Sequence, residues 1–277
     1  MKENYSVLMS VYLKDNLLYL KESIESILNQ TILTNDFVIV KDGPLTDEMN
    51  NVLDDYKNKY SFINIINLEK NMGLGKALNE GLKHCKNELV ARMDADDYSF
   101  KDRIEKQLNY MKKEKIDLLG TQAIEFIDDI NKPVQYNKFP LNHDDIVNYA
   151  HKRNPYAHPS VIFNKKAVLK AGGYREAYLC EDYDLWIRMI MSGSKCANLD
   201  NYLFAVRVNN DFYKRRGGIK YVKSINNLMI MNMQNGFFTK KDYFKNMIIR
   251  TIVYLMPNKL REFFYKTFLR KDSKNAN

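Results

Sequence analysis

Residues 88–97, Glu-Leu-Val-Ala-Arg-Met-Asp-Ala-Asp-Asp (ELVARMDADD), carry two messages. In the first six, Leu89, Val90, Ala91 and Met93 give the pattern of a short buried strand. The last four hold three carboxylates, which repel one another unless a cation or solvent neutralises them. Upstream, residues 5–11 (YSVLMSV), 37–40 (FVIV) and 63–68 (INIINL) repeat the buried-strand pattern. Between them apolar residues recur at helical spacing: Leu17, Leu20, Ile24, Ile27 and Leu28 after the capping residues Asp15 and Asn16, then Met49, Val52, Leu53 and Tyr56, then residues 73–85. Ile104, Leu108 and Met111 predict a helix after the acidic cluster, and residues 118–127 predict another strand.

Strands alternating with helices of this length imply βαβ units and a mostly parallel sheet covered on both faces. Ligands of such sheets bind at the carboxyl ends of the strands. Asp42-Gly43-Pro44 and Asp94-Ala95-Asp96 both follow predicted strands, so they are expected on one rim. After Pro133 the alternation loosens: a strand over 160–163, helices over 166–170 and 184–191, a strand over 202–208, then helical segments from Lys220 broken near Gly236 and Pro257.

The chain has 277 residues, 45% of them hydrophobic, enough for a sizeable core. This excludes a disulfide-stapled mini-protein and a disordered chain. The net charge of +9 is uneven. Residues 214–277 hold 15 Lys and Arg against 3 Asp and Glu, so the preceding 213 residues are mildly acidic. Three cysteines (Cys85, Cys180, Cys196) without CxxC spacing argue against a disulfide framework or a zinc cluster. The first residues lack a signal-peptide cleavage site, and the apolar stretch over 247–256 is short of the ~20 residues of a membrane span. A cytoplasmic location is expected.

Two acids at i, i+2 offer hard oxygen ligands to Mg²⁺ or Mn²⁺, which usually also hold substrate phosphates. Asp94 and Asp96 suit this role, and equally suit a solvated acidic turn; Tyr98 and Ser99 spoil an EF-hand. Asp42 suits a base or ribose contact, or a plain turn before Gly-Pro. Asn71-Met72-Gly73-Leu74-Gly75-Lys76 opens a helix without P-loop spacing, and its glycines let backbone N–H groups approach a phosphate. Lys76 and Arg92 are cations expected near the same rim, able to meet a diphosphate or to form surface ion pairs. Glu181-Asp182-Tyr183-Asp184-Leu185-Trp186 opens a helix, where acids complement the dipole or supply a general base. His158 suits a metal or phosphate contact, or a structural role. Arg207 and the basic loop with Lys214, Arg215 and Arg216 suit closure over phosphates, or a solvated turn.

Together SVLMSVY, the helix ending ILNQT, FVIVKDGP, NMGLGKALNEGL, ELVARMDADD, HPSVIFNKKAVLKAGGY and EDYDLW cover residues 5–210 in an order that resembles the family 2 glycosyltransferases of the GT-A fold. The bacterial O-antigen, capsule and exopolysaccharide enzymes of the amylovoran type are the nearest in pattern. The resemblance implies a catalytic domain over 1–213, with a nucleotide-binding half at about 1–130 and an acceptor-binding half at 131–213, and a basic helical tail over 214–277. It implies that Ser10, Val11, Tyr12 and Asp42 hold the nucleotide, with Lys76, Arg92, Asp94 and Ala95 also on the donor. Asp96, with Asp94 and less directly His158, would hold Mn²⁺ or Mg²⁺. Asp182 would be the base, and Glu181, Trp186, Arg207, Arg215 and Arg216 would serve the acceptor or its phosphates. Asn209 stands where the pattern often has histidine.

The implied reaction is inverting transfer from a nucleotide sugar, a UDP-sugar by expectation, to a saccharide hydroxyl on a polyprenyl diphosphate. The aromatic, basic pattern of 241–277 fits an anionic cytoplasmic leaflet, or a helix packed on the body. Two alternatives stand beside it. A sugar-nucleotidyltransferase would need a glycine-rich loop after the first strand, which MSVYLKDN lacks. A nucleic-acid-binding protein is opposed by the acidic body, and no nucleic-acid partner is expected.

Overall fold

The computed structural model describes residues 4–209, 217–258, 260 and 261. Its strands are β1 (Ser6–Val11), β2 (Asp36–Lys41), β3 (Ile63–Asn67), β4 (Leu89–Asp94), β5 (Tyr98–Ser99), β6 (Leu118–Phe126), β7 (Gln135–Asn137), β8 (Ile162–Asn164) and β9 (Cys196–Arg207). The helices are α1 (Leu17–Leu28), α2 (Asp47–Lys59), α3 (Leu74–His84), α4 (Arg103–Glu114), α5 (His143–Ala150), α6 (Lys165–Lys170), α7 (Glu181–Met191), α8 (Ile219–Gln234) and α9 (Lys240–Leu255).

One sheet runs in the order β3-β2-β1-β4-β8-β6-β9-β5, with β7 on β6. The first four strands are parallel, as the alternation predicts. The switch comes at β4, whose other neighbour, β8, is antiparallel. β6 pairs antiparallel with β8 and parallel with β9.

Side chains alternate across the central strands and build two cores. Val7 and Met9 of β1 and Phe37 and Ile39 of β2 pack with α1, α2 and α4. Leu8, Val38 and Val40 face the other way, against Ala77, Leu78 and Leu82 of α3 and Leu185, Trp186 and Met189 of α7. Gly81 lets α3 lie close to the sheet, since a Cβ there would collide with Leu8 and Val40.

A third core joins α7 to the C-terminal helices. Tyr183 and Ile187 pack with Tyr221, Ile225, Leu228 and Met229 of α8, with Phe237 and Phe238, and with Val253 and Tyr254 of α9. Of the tail's two expected arrangements, α8 and α9 therefore take the packed one for their inner faces. No described helix is long and apolar enough to cross a membrane. Cys85, Cys180 and Cys196 are free and buried, and burial pushes each thiol up to about 12.

Candidate active site

The strand register brings the predicted residues to one rim. Ser10 of β1 lies beside Asp94 of β4, and Asp42 follows the last residue of β2. A cleft of about 1580 Å³ opens there. Ser10, Tyr12, Asp42, Lys76, Asp94, Ala95, Asp96, His158, Glu181, Asp182 and Arg207 line it, so both acidic clusters face one space. Val11 is fully buried, and its carbonyl accepts from Asp42 N at 2.8 Å.

The acidic turn is held from below and behind. Ser23 Oγ donates to the Asp94 carbonyl at 2.6 Å, tying α1 to the end of β4. Arg92 differs from expectation. It is fully buried on a strand covered on both faces, and its guanidinium donates to the Asp94 carboxylate and the Met93 carbonyl. It therefore braces Asp94 from beneath and does not stand on the rim.

Arg103, also fully buried, lies over the Phe204 ring at 4.8 Å and donates to the Arg92 carbonyl at 3.0 Å. Burial lowers its guanidinium to about 9. Arg207 staples the other side. Its backbone N–H donates to Asp97 Oδ1 at 2.8 Å and its Nε to the Asp96 carbonyl at 2.9 Å. Its guanidinium also lies over Tyr19, pairs with Glu22 and reaches the Ile127 carbonyl at 3.1 Å. Asp97, only 2% exposed, is held well above the usual carboxylate range by burial first, then by the charges of Asp96 and Asp94.

Asp42 has a backbone task. Its carboxylate accepts from Met72 N at 2.6 Å and Gly73 N at 3.0 Å, anchoring the loop before α3. The turn needs Gly43: its φ is +92°, and a Cβ would press on Asn71 N. Gly73 caps α3 without a side-chain bond, and Gly73, Leu74 and Gly75 line the cleft. Lys76 pairs with Glu176 at 2.8 Å in an exposed bridge.

Across the cleft, α7 begins at Glu181. Asp182 Oδ1 accepts from Tyr183 N at 2.7 Å, and Oδ2 accepts from Asn154 Nδ2 at 2.5 Å. Burial, and then the neighbouring Asp182 charge, raise Glu181 to about 7. His158 Nε2 meets Tyr174 Oη at 2.9 Å, and burial holds the imidazole well below its usual value, hence neutral.

Trp186 departs from its expected place with the acceptor groups. It is 0% exposed, set edge-on against Tyr156 and His158 under the cleft floor, because its helix position faces the core. Arg215 and Arg216 lie outside the described residues, as does the tail beyond Arg261. Asn154 and the bracing by Arg103 were missed. Asn154-Pro155 reads only as a turn, and its partner is 28 residues away.

Asp94 and Asp96 fit a divalent ion. Burial first, and then the Asp96 and Asp94 charges, push Asp97 toward its neutral form, and a cation would offset the second of these. Among the described residues no three His, Cys, Asp or Glu side chains form a metal-holding group. A Mg²⁺- or Mn²⁺-type site of one or two carboxylates completed by substrate phosphates needs no such trio.

The family model "Glycosyl transferase family 2" matches residues 6–173. The chain is 36% identical over 268 residues to UDP-Gal:alpha-D-GlcNAc-diphosphoundecaprenol beta-1,3-galactosyltransferase of Escherichia coli, covering 96% of this chain and 97% of that one. It is 38% identical over 266 residues to amylovoran biosynthesis glycosyltransferase AmsE of Erwinia amylovora, covering 95% and 98%. The structure of S. aureus TarS 1-349 in complex with UDP-GlcNAc superposes with a TM-score of 0.68 at 16% identity, covering 97% of this chain and 77% of that one. The fold is thus GT-A, and the nucleotidyltransferase and nucleic-acid-binding alternatives fall away. With a family match over more than half its length and full-length relatives above 30% identity, the chain belongs to the family 2 glycosyltransferases.

Proposed function

We propose that the protein transfers a hexose, with inversion, from a UDP-sugar to a hydroxyl of a polyprenyl-diphosphate-linked saccharide in bacterial surface-polysaccharide synthesis. One observation carries this reading: the turn at Asp94–Asp96 and the Glu181-Asp182 pair line the same cleft. The activity named for the Escherichia coli relative supports the UDP donor and the lipid-diphosphate acceptor.

In this reading Ser10, Tyr12 and Asp42 receive the nucleotide, and Asp96 with Asp94 would hold Mn²⁺ or Mg²⁺. Such an ion, when bound, would neutralise charge on the departing diphosphate. Asp182 takes the proton of the acceptor hydroxyl as its oxygen bonds to the anomeric carbon. The bond from that carbon to the diphosphate oxygen breaks, and the nucleoside diphosphate leaves with the electron pair. Attack opposite the leaving group inverts the centre. Lys76 and the start of α3 offer positive potential near the phosphates.

We further propose a peripheral place on the cytoplasmic face of the plasma membrane, contacted by α9. Phe244, Ile248, Ile252 and Leu255 recur at i, i+4, i+8 and i+11 and are 52–62% exposed. Exposed Lys241 and Lys245 flank them. An outward apolar stripe with basic neighbours suits an anionic interface.

The test of the reaction is thermal shift with UDP-, GDP- and dTDP-sugars, with and without Mn²⁺, followed by transfer to a GlcNAc-diphosphate-lipid analogue. Stabilisation by a UDP-sugar that requires Mn²⁺, and a product of inverted configuration, is expected. A retained configuration sinks the single-displacement mechanism, and metal-independent stabilisation sinks the metal assignment. For the surface, Ile248→Glu with Ile252→Glu should abolish flotation with phosphatidylglycerol vesicles. Unchanged flotation overturns the α9 contact.

A further inference from the structure

Residues 151–154 run from the end of α5 toward the cleft, and other elements hold their backbone. Tyr183 Oη of α7 donates to the Ala150 carbonyl at 2.5 Å. Asn246 Nδ2 of α9 donates to the His151 carbonyl at 2.9 Å, and the Arg250 guanidinium to the Lys152 carbonyl at 2.7 Å. The Arg250 guanidinium also lies over the Tyr183 ring. The His151 ring stacks on Phe237 at 4.5 Å and faces Asp242 at 3.4 Å. The polar contacts of α9 thus face inward, opposite its apolar stripe.

At the end of this strap stands Asn154. Its Oδ1 accepts from Tyr156 N at 3.2 Å, which turns its amide NH₂ toward Asp182 Oδ2. An amide can orient a carboxylate but cannot take its proton. A carboxylate has about four acceptor positions, so an amide and a substrate proton can share one.

We propose that Asn154 is a positioning residue for the Asp182 carboxylate, and that α9 fixes its place by holding the carbonyls of His151 and Lys152. The inference rests on reading Asp182 as the base. It makes the C-terminal helix part of the catalytic framework: the face opposite its exposed stripe sets the segment that aims the base.

Asn154→Asp is the discriminating variant. It keeps the Oδ1 acceptor for Tyr156 N and the side-chain size, but loses the donor to Asp182. The titratable and charged groups near the pair are Glu181 on α7, Tyr174 before it, Arg92 and Asp94 on β4, His151, Lys152 and Arg153 on the strap, and Asp242 and Arg250 on α9 behind it. All of these are unchanged in the variant. We expect kcat to fall about tenfold to a hundredfold with the donor KM within about twofold. The acid limb of the kcat profile should move to higher pH, because a lost donor and an added carboxylate both favour protonated Asp182. Asn154→Ala should lose kcat similarly without the added charge, and Arg250→Met should show a smaller loss of the same kind.

Wild-type kcat and an unmoved profile in both Asn154 variants, with Asp182→Asn inactive, overturn the positioning role. A matching fall in thermal stability in both Asn154 variants, with kcat per folded molecule unchanged, also overturns it. Wild-type turnover by Asp182→Asn overturns instead the reading on which it rests.

Discussion

The two acidic clusters of the cleft are braced by different groups. The Arg92 guanidinium meets the Asp94 carboxylate, while Arg207 holds the Asp97 carboxylate through its backbone N–H and the Asp96 carbonyl through Nε. The Asp182 carboxylate is held by amide donors, Tyr183 N and Asn154 Nδ2, at the start of a helix, with Glu181 beside it. In the first, a cation would relieve the carboxylate crowding that, after burial, holds Asp97 toward its neutral form. The second leaves a carboxyl at Glu181 that titrates at about 7 and suits a proton. Identical side-chain chemistry is thus divided into two tasks by what stands behind it.

Three substitutions probe that division. The largest expected effect is that of Asp182→Asn, which should lower kcat by about a thousandfold, within the usual range for a general base, while leaving Mn²⁺-dependent donor binding intact. Kinetics paired with calorimetric titration of UDP would check it; equal loss of both would erase the distinction between the clusters. Asp96→Asn should do the reverse, lowering kcat/KM by about a hundredfold and raising the Mn²⁺ concentration needed for half-maximal rate, with the pH profile unmoved. A metal titration of the rate reads this directly.

The smallest effect concerns stability. Glu181 is raised in the fold from 4.5 to about 7, so its acid form is favoured. Its contribution is fully present below about pH 4.5 and is lost as pH rises through about 7. Glu181→Gln should therefore melt a few degrees higher than the wild type at pH 8, on the order of 2 kcal/mol, and gain nothing at pH 4.5. A gain of equal size at both pH values would break the comparison.

The parallel half was legible because β1 to β4 are short, mostly apolar segments alternating with helical stripes. β5 was not: Tyr98–Ser99 becomes a strand only by pairing with Phe204 and Ala205 of β9. β9 itself begins six residues before the predicted start at Tyr202, because polar Asp200 and Asn201 interrupt its apolar run near a register shift with β6. β7 and α5 are short and lacked a distinct pattern. In the site, Asp94, Asp96, Glu181 and Asp182 were legible from their clustering at element ends. Arg92 and Trp186 were misplaced for a common reason. An element buried on both sides shows no polar–apolar period, so nothing in the local pattern marks these large side chains as facing inward. Asn154 acts across the chain, and local pattern carries no trace of such a contact.

The buried cysteines have a practical consequence for the exposed stripe. Burial raises each thiol well above the neutral range and shields all three from solvent. The native chain is therefore nearly silent to maleimide reagents. A single Ile248→Cys or Ile252→Cys substitution would supply a reactive handle on α9 without first stripping native thiols, and an environment-sensitive dye attached there would report directly whether that face meets water or acyl chains.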